Sequence, residues 1–88
     1  MTYELELSPR AERSLDRIPR ADFLKIDPAI RQLADDPRPH GVKKLKGDIH
    51  RIKTGPWRII FLVLDDRKLV SVIEVVRRSE STYKGYGG

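Results

Sequence analysis

The sequence predicts an α+β protein in which helices cover one face of an antiparallel sheet, and three observations carry this prediction. Residues 2–8 alternate apolar and polar side chains, as a half-buried strand does. Apolar residues then recur at helical spacing as far as residue 34. After residue 48 the chain is rich in apolar and β-branched runs. We therefore expect one domain over residues 1–88, ordered as a strand, a helical hairpin and a three-stranded antiparallel meander (β-α-α-β-β-β).

Both helices of the hairpin have recognisable ends. Ser8 is a good N-cap and Pro9 suits the first helical position, so the first helix begins there, and Pro19 ends it. The second helix has a broad apolar face that consists of Phe23, Leu24, Ile26, Ile30, Leu33 and Ala34. Asp27-Pro28 has the pattern of a fresh cap and first turn, which predicts a kink or break within this helix.

The second half of the chain predicts the meander. Residues 37–48 contain prolines, glycines and a basic run, which is typical of a loop that leads into a sheet. Ile49 begins the next strand. Residues 59–64 are apolar at every position, which predicts a central strand covered on both faces. Asp65-Asp66 predicts a hairpin turn before a last strand over residues 69–76, and the pattern leaves open where the first strand joins the sheet.

Composition excludes several classes of protein. The chain contains no cysteine, so neither disulfides nor a thiolate metal site are expected. Two histidines, His40 and His50, make a histidine metal site improbable, and we expect no cofactor. No apolar run is long enough to span a membrane, and the N-terminus lacks the pattern of a secretory signal. The expected location is the cytoplasm.

The net charge of +5 is unevenly distributed along the chain. Residues 38–58 hold seven Lys or Arg against one acidic residue, and residues 77–88 hold three against one. Most of these cations lie at predicted strand or turn positions. A polyanion such as nucleic acid is the simplest partner for such a surface. The alternative is that these are solvated cations that serve solubility.

The predicted strands bring three of these cations together. Arg51 and Lys53 are two positions apart on a strand, so they point to the same face. Gly55-Pro56 then reverses the chain, and Arg58 returns beside them on the paired strand. The result is a compact basic cluster that suits an anionic ligand.

Several motifs occur together in an order that resembles a known family. They are Leu45-Lys46-Gly47, Arg51-x-Lys53, Gly55-x-Trp57-Arg58, Arg77-Arg78 and Tyr83. With the order of helices and strands, this combination resembles the RelE/ParE superfamily of toxins from bacterial and archaeal toxin–antitoxin pairs, over roughly residues 2–84. The resemblance implies a protein that either cleaves mRNA in the ribosomal A site, as RelE-like members do, or poisons DNA gyrase, as ParE-like members do. A third possibility is a non-catalytic nucleic-acid-binding domain of the same fold.

The resemblance to RelE-like ribonucleases also implies roles for individual residues. RNA cleavage by the 2′-hydroxyl needs neither a metal nor histidine, since lysine, arginine and tyrosine can supply proton transfer and charge stabilisation. Lys53 is then the general base, Arg58 the transition-state stabiliser, Arg77 the leaving-group or phosphate partner and Tyr83 a substrate contact. The expected RNA-binding residues are Arg51, Lys43, Lys44, Lys46 and Arg78. Arg51 stands where the family often has lysine, and an arginine preserves phosphate contact but cannot share the role of base.

The resemblance implies a cognate antitoxin as protein partner, beside the ribosome and mRNA. An acidic, partly disordered segment that folds on the basic surface would neutralise it.

Most of these residues also have a purely structural interpretation. Lys53 is then a solvated strand lysine, Arg58 pairs with Asp48 or Asp65, and Tyr83 packs at an edge of the core. Trp57 is expected to pack in the core and His50 to be structural, on the face opposite Arg51. A series of arginines at helical spacing beside Glu12 and Asp16 predicts a solvated face; its members are Arg10, Arg13, Arg17 and Arg20.

Overall fold

The computed structural model describes residues 2–77, and these residues form a strand, two helices and then four strands. The elements are β1 (Glu4–Leu7), α1 (Pro9–Arg17), α2 (Arg20–Gln32), β2 (Lys43–Lys46), β3 (Ile49–Thr54), β4 (Trp57–Leu64) and β5 (Leu69–Arg77). The predicted α+β class and the predicted order are confirmed, with one additional strand. No helix in the described part of the chain combines the length and the hydropathy needed to cross a membrane.

The strands form one sheet in the order β1-β5-β4-β3-β2. The last four strands pair antiparallel with their neighbours, whereas β1 pairs parallel with β5, from Glu4 opposite Leu69 to Leu7 opposite Val72. The connection between these two strands contains the helical hairpin and the strands β2 to β4, and it is much longer than the dozen or so residues that a parallel pair requires. The position that the sequence left open is therefore the edge beside β5.

The prediction of a loop over residues 37–48 was wrong for Lys43–Lys46, which forms the edge strand β2. An edge strand pairs on one side only, and exposed lysines are common there because they discourage further pairing. The meander therefore has four strands instead of three. The lysine-rich composition concealed β2, because its pairing with β3 depends on backbone hydrogen bonds more than on apolar side chains.

The predicted break at Asp27-Pro28 was also wrong, because α2 runs without interruption from Arg20 to Gln32 with Pro28 inside it. Proline removes the backbone bond to the carbonyl of Leu24, but Leu24 is 58% exposed, so water can reach this side of the helix. An ion pair spans the proline, with Arg31 Nε 2.8 Å from Asp27 Oδ2. The buried residues Ile26 and Ile30 hold the helix against the sheet on either side of it.

The core lies between the helices and one face of the sheet. The predicted central strand β4 contributes Trp57, Ile59, Phe61 and Val63 to this core. The helices and the segment after them contribute Ala11, Ile18, Ile26, Ile30 and Leu33. Ile60 faces the other way and is also fully buried, so β4 is covered on both faces as predicted.

Ser8 joins the start of α1 to an irregularity in β5. Its side chain accepts a hydrogen bond from Ala11 N at 3.1 Å, as the predicted N-cap should, and donates one to Ile73 O at 2.6 Å. At Ile73 the register of β4 and β5 shifts between the pairs Ile60–Glu74 and Phe61–Val72. This bulge exchanges the faces of the residues that follow it in β5, including Arg77.

The turn between β4 and β5 is anchored to two distant parts of the chain. Asp65–Arg67 forms a 3₁₀ turn, so the predicted turn is present but longer than a two-residue hairpin. Arg38 donates two hydrogen bonds to Asp65, at 3.1 and 2.8 Å, and Tyr3 OH donates a third at 2.6 Å. These bonds lower the pKa of Asp65 to about 2. We call Tyr3, Arg38 and Asp65 the clasp.

Candidate nucleic-acid interface

The face of the sheet turned away from the helices, which we call the open face, gathers cations from two central strands. In the register of β3 and β4, Lys53 lies directly opposite Arg58, and Arg51 lies opposite Ile60. Opposed residues project to the same face, and so do alternate residues of one strand. Ile59, the neighbour of Arg58, packs in the core under the helices. Arg51, Lys53 and Arg58 therefore share the open face.

The edge strand β2 adds two lysines to this face. Lys43 pairs with Arg51, and Lys46 pairs with Ile49, a residue of β3 on the same face. Lys43 and Lys46 are three positions apart, so a regular strand would send them to opposite faces. The register shifts between Lys44 and Lys46, and this bulge at Leu45 restores Lys46 to the open face.

Lys44 projects to the other side of the sheet, because it pairs with His50, a buried residue that stacks on the core residue Phe61. The lysines predicted to bind RNA are therefore divided between the two faces. We call the residues of the open face that carry positive charge the open-face cluster; they are Lys43, Lys46, Arg51, Lys53 and Arg58.

Members of the cluster differ in burial. Lys53 is exposed, Arg51 is half-buried and Arg58 is only 8% exposed. Electrostatic attraction is stronger where water is excluded, so a phosphate that reaches Arg58 would be held more strongly than one at an exposed lysine. Arg51 Nε is buried and has no hydrogen-bond acceptor within residues 2–77.

Asp65, one of the partners considered for Arg58, lies at the opposite end of β4. It is bound by Arg38 and Tyr3. The structure therefore does not pair Arg58 with Asp65.

Arg77 lies at the same end of the sheet as Arg58 but on the helix side. It pairs with Trp57, and its guanidinium stands 4.7 Å from the centre of the Trp57 ring, a cation–π arrangement. Trp57 is 7% exposed and belongs to the core, as predicted. The structure therefore brings Arg77 close to the cluster along the strands but separates it from the cluster by the thickness of the sheet. The bulge at Ile73 is the reason, and no local sequence pattern reveals it.

His50 has the structural environment that the sequence predicted. The residue is 4% exposed, and its ring stacks on that of Phe61, with the ring centres 5.7 Å apart and the planes at 21°. Nδ1 lies 2.8 Å from the carbonyl oxygen of Asp48, which assigns the proton to Nδ1 as the donor.

At the β1 edge of the sheet, the open face carries carboxylates instead of cations. Glu4 and Glu6 of β1 alternate with core-packed leucines and therefore project to the open face, where Ser71 donates a hydrogen bond to Glu6 at 3.0 Å. A third carboxylate, Glu74, stands at the bulge of β5 and contacts Arg10 of α1 at 3.9 Å, so it lies apart from Glu4 and Glu6; the sequence analysis missed this residue and its contact. Its side chain is 12% exposed. A lone glutamate in a β-branched run is the one feature that could have drawn attention to it.

Two predicted site residues, Arg78 and Tyr83, lie outside the described residues. Within residues 2–77 there is no group of three or more histidine, cysteine or acidic residues that could hold a metal ion.

Comparison with known proteins identifies the family. The ParE toxin family of type II toxin–antitoxin systems, of the parDE type, matches residues 5–82. A curated relative, named as a candidate RelE1 toxin of Methanocaldococcus jannaschii, is 28% identical over 89 residues, which cover 96% of this chain and 98% of that protein.

Solved structures of RelE proteins have the same fold. The archaeal RelE–RelB complex from Pyrococcus horikoshii OT3 contains a chain with a TM-score of 0.82 and 24% identity, covering 92% of this chain and 100% of that one. A mutant of the E. coli toxin RelE in the free state gives a TM-score of 0.80 and 23% identity, covering 99% of this chain and 95% of that one. Because the family match spans most of its length, the chain belongs to the RelE/ParE superfamily of type II toxins, as its motifs predicted.

Proposed function

We propose that this protein is a RelE-like, ribosome-dependent endoribonuclease, which cleaves mRNA in the A site without a metal and so inhibits translation. The observation that carries the proposal is the open-face cluster, in which Lys53 stands directly opposite the buried Arg58. Gyrase inhibition needs no such arrangement of a potential base beside a potential transition-state stabiliser. The cluster also supplies the phosphate contacts that RNA requires.

The proposed reaction is attack of the RNA 2′-hydroxyl on the adjacent phosphorus. Lys53, in its neutral form, accepts the hydroxyl proton, and the guanidinium of Arg58 stabilises the charge that develops on the phosphorane. The bond to the 5′-oxygen then breaks, and that oxygen takes up a proton. The products are a 2′,3′-cyclic phosphate and a 5′-hydroxyl. Arg77 contacts a phosphate, and Tyr83 contacts the substrate.

We propose a cognate antitoxin as the protein partner. The cluster is basic, and the chain carries a net charge of +5, so an acidic segment that folds on the open face would block access to RNA. The Pyrococcus horikoshii relative was solved as a complex of RelE with RelB, which supports a partner of this kind.

A second candidate function is inhibition of DNA gyrase, and the family description, which names ParE, favours it. The two functions leave different products in cells. Ribonuclease activity generates new 5′ ends inside coding regions, and blocking translation initiation removes them. Gyrase inhibition leaves transcripts unchanged and accumulates trapped gyrase–DNA complexes.

Expression of the protein in a susceptible host tests the proposed site. Induction should arrest growth and produce new mRNA 5′ ends in primer extension. The double variant Arg58→Ala with Arg77→Ala should abolish both effects at equal soluble expression. As a matched control, Arg13→Ala with Arg67→Ala removes two exposed arginines outside the cluster and should leave both effects intact. A double Arg58/Arg77 variant as toxic as the parent would show that the site is wrong.

A further inference from the structure

A pocket of about 330 Å³ opens between the second half of α1 and the end of β5. Ile18, Trp57 and Val75 supply apolar walls, while Ser14 and Glu74 supply polar groups. Trp57 and Val75 face the helices, so the pocket lies mainly on the side of the sheet away from the open-face cluster. Its size is at the lower end for small-ligand sites, which are roughly 300–1,000 Å³. This size suits a single nucleotide better than a peptide helix.

The charges around this α1–β5 pocket suit a phosphate at the rim and a heterocycle inside. Arg17 and Arg77 line the pocket, and both are exposed. The carboxylate of Glu74 also lines it, but this group is largely covered and lies 3.9 Å from Arg10, which offsets its negative charge. Carboxylate and hydroxyl oxygens can accept hydrogen bonds from the amino groups of a base.

The pocket is within reach of RNA held by the open-face cluster. Arg58 pairs with Val76, and the next pair along the strands is Trp57 with Arg77. Neighbouring strands are about 4.8 Å apart, so Arg77 follows Arg58 closely but on the other face. An RNA strand that contacts both residues must therefore pass over the end of the sheet. The nucleotide beyond Arg77 then meets the pocket.

Arg77 also provides a platform for that nucleotide. Its guanidinium already lies over the Trp57 ring, and Arg77 as a whole is exposed. Arginine planes and aromatic rings are the surfaces on which unpaired RNA bases stack. The exposed guanidinium stacked on Trp57 favours RNA over an acidic peptide, because a peptide carboxylate would pair with the positive charge but has no base to stack on it.

We propose that the α1–β5 pocket is a second nucleotide subsite, which takes one base of the single-stranded RNA flanking the cleaved bond while Arg17 and Arg77 hold its phosphate. The inference rests on the proposed ribonuclease function. It adds a contact on the helix side of the sheet to those of the open face.

Binding of RNA oligonucleotides by the full chain tests the subsite. The probes are fluorescent 2′-O-methyl RNAs of increasing length, which cannot be cleaved because the attacking hydroxyl is blocked, and fluorescence anisotropy gives Kd at several salt concentrations. Ser14→Trp fills the pocket without a change of charge, and Arg17→Ala removes a rim cation. Arg13→Ala is the control, since Arg13 is exposed on the same helix but does not line the pocket.

For RNAs long enough to reach the pocket, Ser14→Trp and Arg17→Ala should each weaken binding roughly tenfold, as expected for loss of one stacked or held nucleotide. Arg17→Ala should also reduce the slope of log K against log salt by about 0.7. The shortest RNAs should bind all variants equally, and Arg13→Ala should match the parent. Circular dichroism at matched concentration checks that Ser14→Trp is folded, and the surface variant Arg17→Ala gives an answer independent of it.

Three results would overturn the subsite, and they separate it from the proposed function. If Arg58→Ala weakens RNA binding but Arg17→Ala and Ser14→Trp do not, the subsite is wrong and the ribonuclease proposal stands. If the parent binds RNA no better than Arg58→Ala does, both proposals fail. If the pocket variants lose only the binding of a polyglutamate peptide, the pocket belongs to a protein partner instead.

Discussion

At the scale of single residues, two lysines separated by one position on β2 face different sides of the sheet. Lys46 joins the open-face cluster through the bulge at Leu45, and Lys44 projects towards the helix side opposite His50. The proposed RNA path reaches the helix side only at the end of β5, and Lys44 lies on that side at the β2 edge, so only Lys46 can contact RNA held by the cluster. Their chemistry is identical, and their difference is purely one of direction.

This difference predicts unequal effects of the same substitution. Lys46→Ala should lower RNA affinity and reduce the slope of log K against log salt by about 0.7, because one phosphate contact is lost from a single strand. Lys44→Ala removes the same charge and should leave the slope unchanged. Salt titrations of RNA binding, followed by anisotropy, measure both. Equal slopes for the two variants would contradict the assignment of Lys46 to the open face.

Lys53 allows charge and proton transfer to be distinguished. Lys53→Arg keeps the cation but leaves no proton acceptor near neutral pH, since guanidinium stays protonated. If Lys53 is the base, single-turnover cleavage on programmed ribosomes should fall by about 10²–10⁴-fold. Lys43→Arg is the matched control, because Lys43 lies on the same face and its proposed role is in binding alone, and this variant should retain activity. A Lys53→Arg protein that cleaves at the parental rate would remove Lys53 from the mechanism.

At the scale of elements, two bulges decide which side chains meet. The bulge at Ile73 places Val75 against the core and Arg77 beside Trp57, and the bulge at Leu45 returns Lys46 to the cluster. Each bulge inverts the alternation that a strand otherwise imposes. Ser8 holds one of them by donating its hydroxyl proton to Ile73 O, so the N-cap of α1 and the geometry of β5 are one structural unit.

Ser8→Ala tests this unit. The substitution removes both the cap bond to Ala11 and the bond to Ile73, so the free energy of unfolding should fall by about 1–3 kcal/mol. Urea denaturation measures the change. Ser14→Ala is a suitable control, because the Ser14 hydroxyl donates a hydrogen bond to the carbonyl of Arg10 within its own helix turn, and the cost of the substitution should be below about 0.5 kcal/mol. Equal free energies of unfolding for Ser8→Ala and Ser14→Ala would show that the hydrogen bonds of Ser8 to Ala11 and Ile73 do not stabilise the fold.

Features of these elements that depend on neighbouring residues could be predicted from the sequence, and those that depend on pairing between strands could not. Local patterns were sufficient for the cap at Ser8, the buried strand β4 and the pairing of Lys53 with Arg58 across a turn, because each depends on neighbours in the chain. The edge strand β2 was missed because it depends on backbone pairing with β3. The faces of Lys46 and Arg77 could not be predicted, because a bulge is a property of two strands together. The break predicted at Pro28 was wrong because the free-energy cost of a proline inside a helix depends on whether water can reach the carbonyl that loses its hydrogen bond.

At the scale of the whole molecule, charge is separated across the sheet. The acidic strand β1 and the lysine-rich strand β2 are the two edges, with β5, β4 and β3 between them. On the open face, Glu4 and Glu6 therefore lie far from Lys43 and Lys46. A polyanion is attracted to the β2–β3 half and repelled from the β1 half, which orients it as it approaches. The net charge of +5 adds a general attraction that salt weakens.

The clasp links this arrangement to the fold as a whole. Tyr3 precedes β1, Arg38 lies in the loop that leads to β2, and Asp65 lies in the turn between β4 and β5. Lys68 adds a cation 5.3 Å from the centre of the Tyr3 ring. The Asp65 carboxylate therefore links the loop before β2, the basic edge strand, to the residue that precedes β1, the acidic edge strand.

That carboxylate should make stability depend on pH in acid. The hydrogen bonds from Arg38 and Tyr3 lower the pKa of Asp65 from 3.8 to about 2 in the folded chain. A group with a lowered folded pKa stabilises the fold above its unfolded pKa, and this stabilisation is lost as the pH falls through the folded value. The contribution of Asp65 should therefore be complete at pH 5 and disappear between about pH 4 and pH 2. Because the clasp is exposed, we expect a small effect, best seen as a difference between variants.

Thermal unfolding of the parent and of Asp65→Asn across this range measures that difference. The parent should have the higher Tm at pH 5, because the asparagine amide accepts fewer and weaker hydrogen bonds than the carboxylate, and the two Tm values should converge as Asp65 becomes protonated. Asp66→Asn, which changes the neighbouring exposed aspartate outside the clasp, should follow the parent throughout. If the difference between the parent and Asp65→Asn is the same at pH 2 as at pH 5, the ionised carboxylate is not what ties the loop before β2 to the rest of the fold.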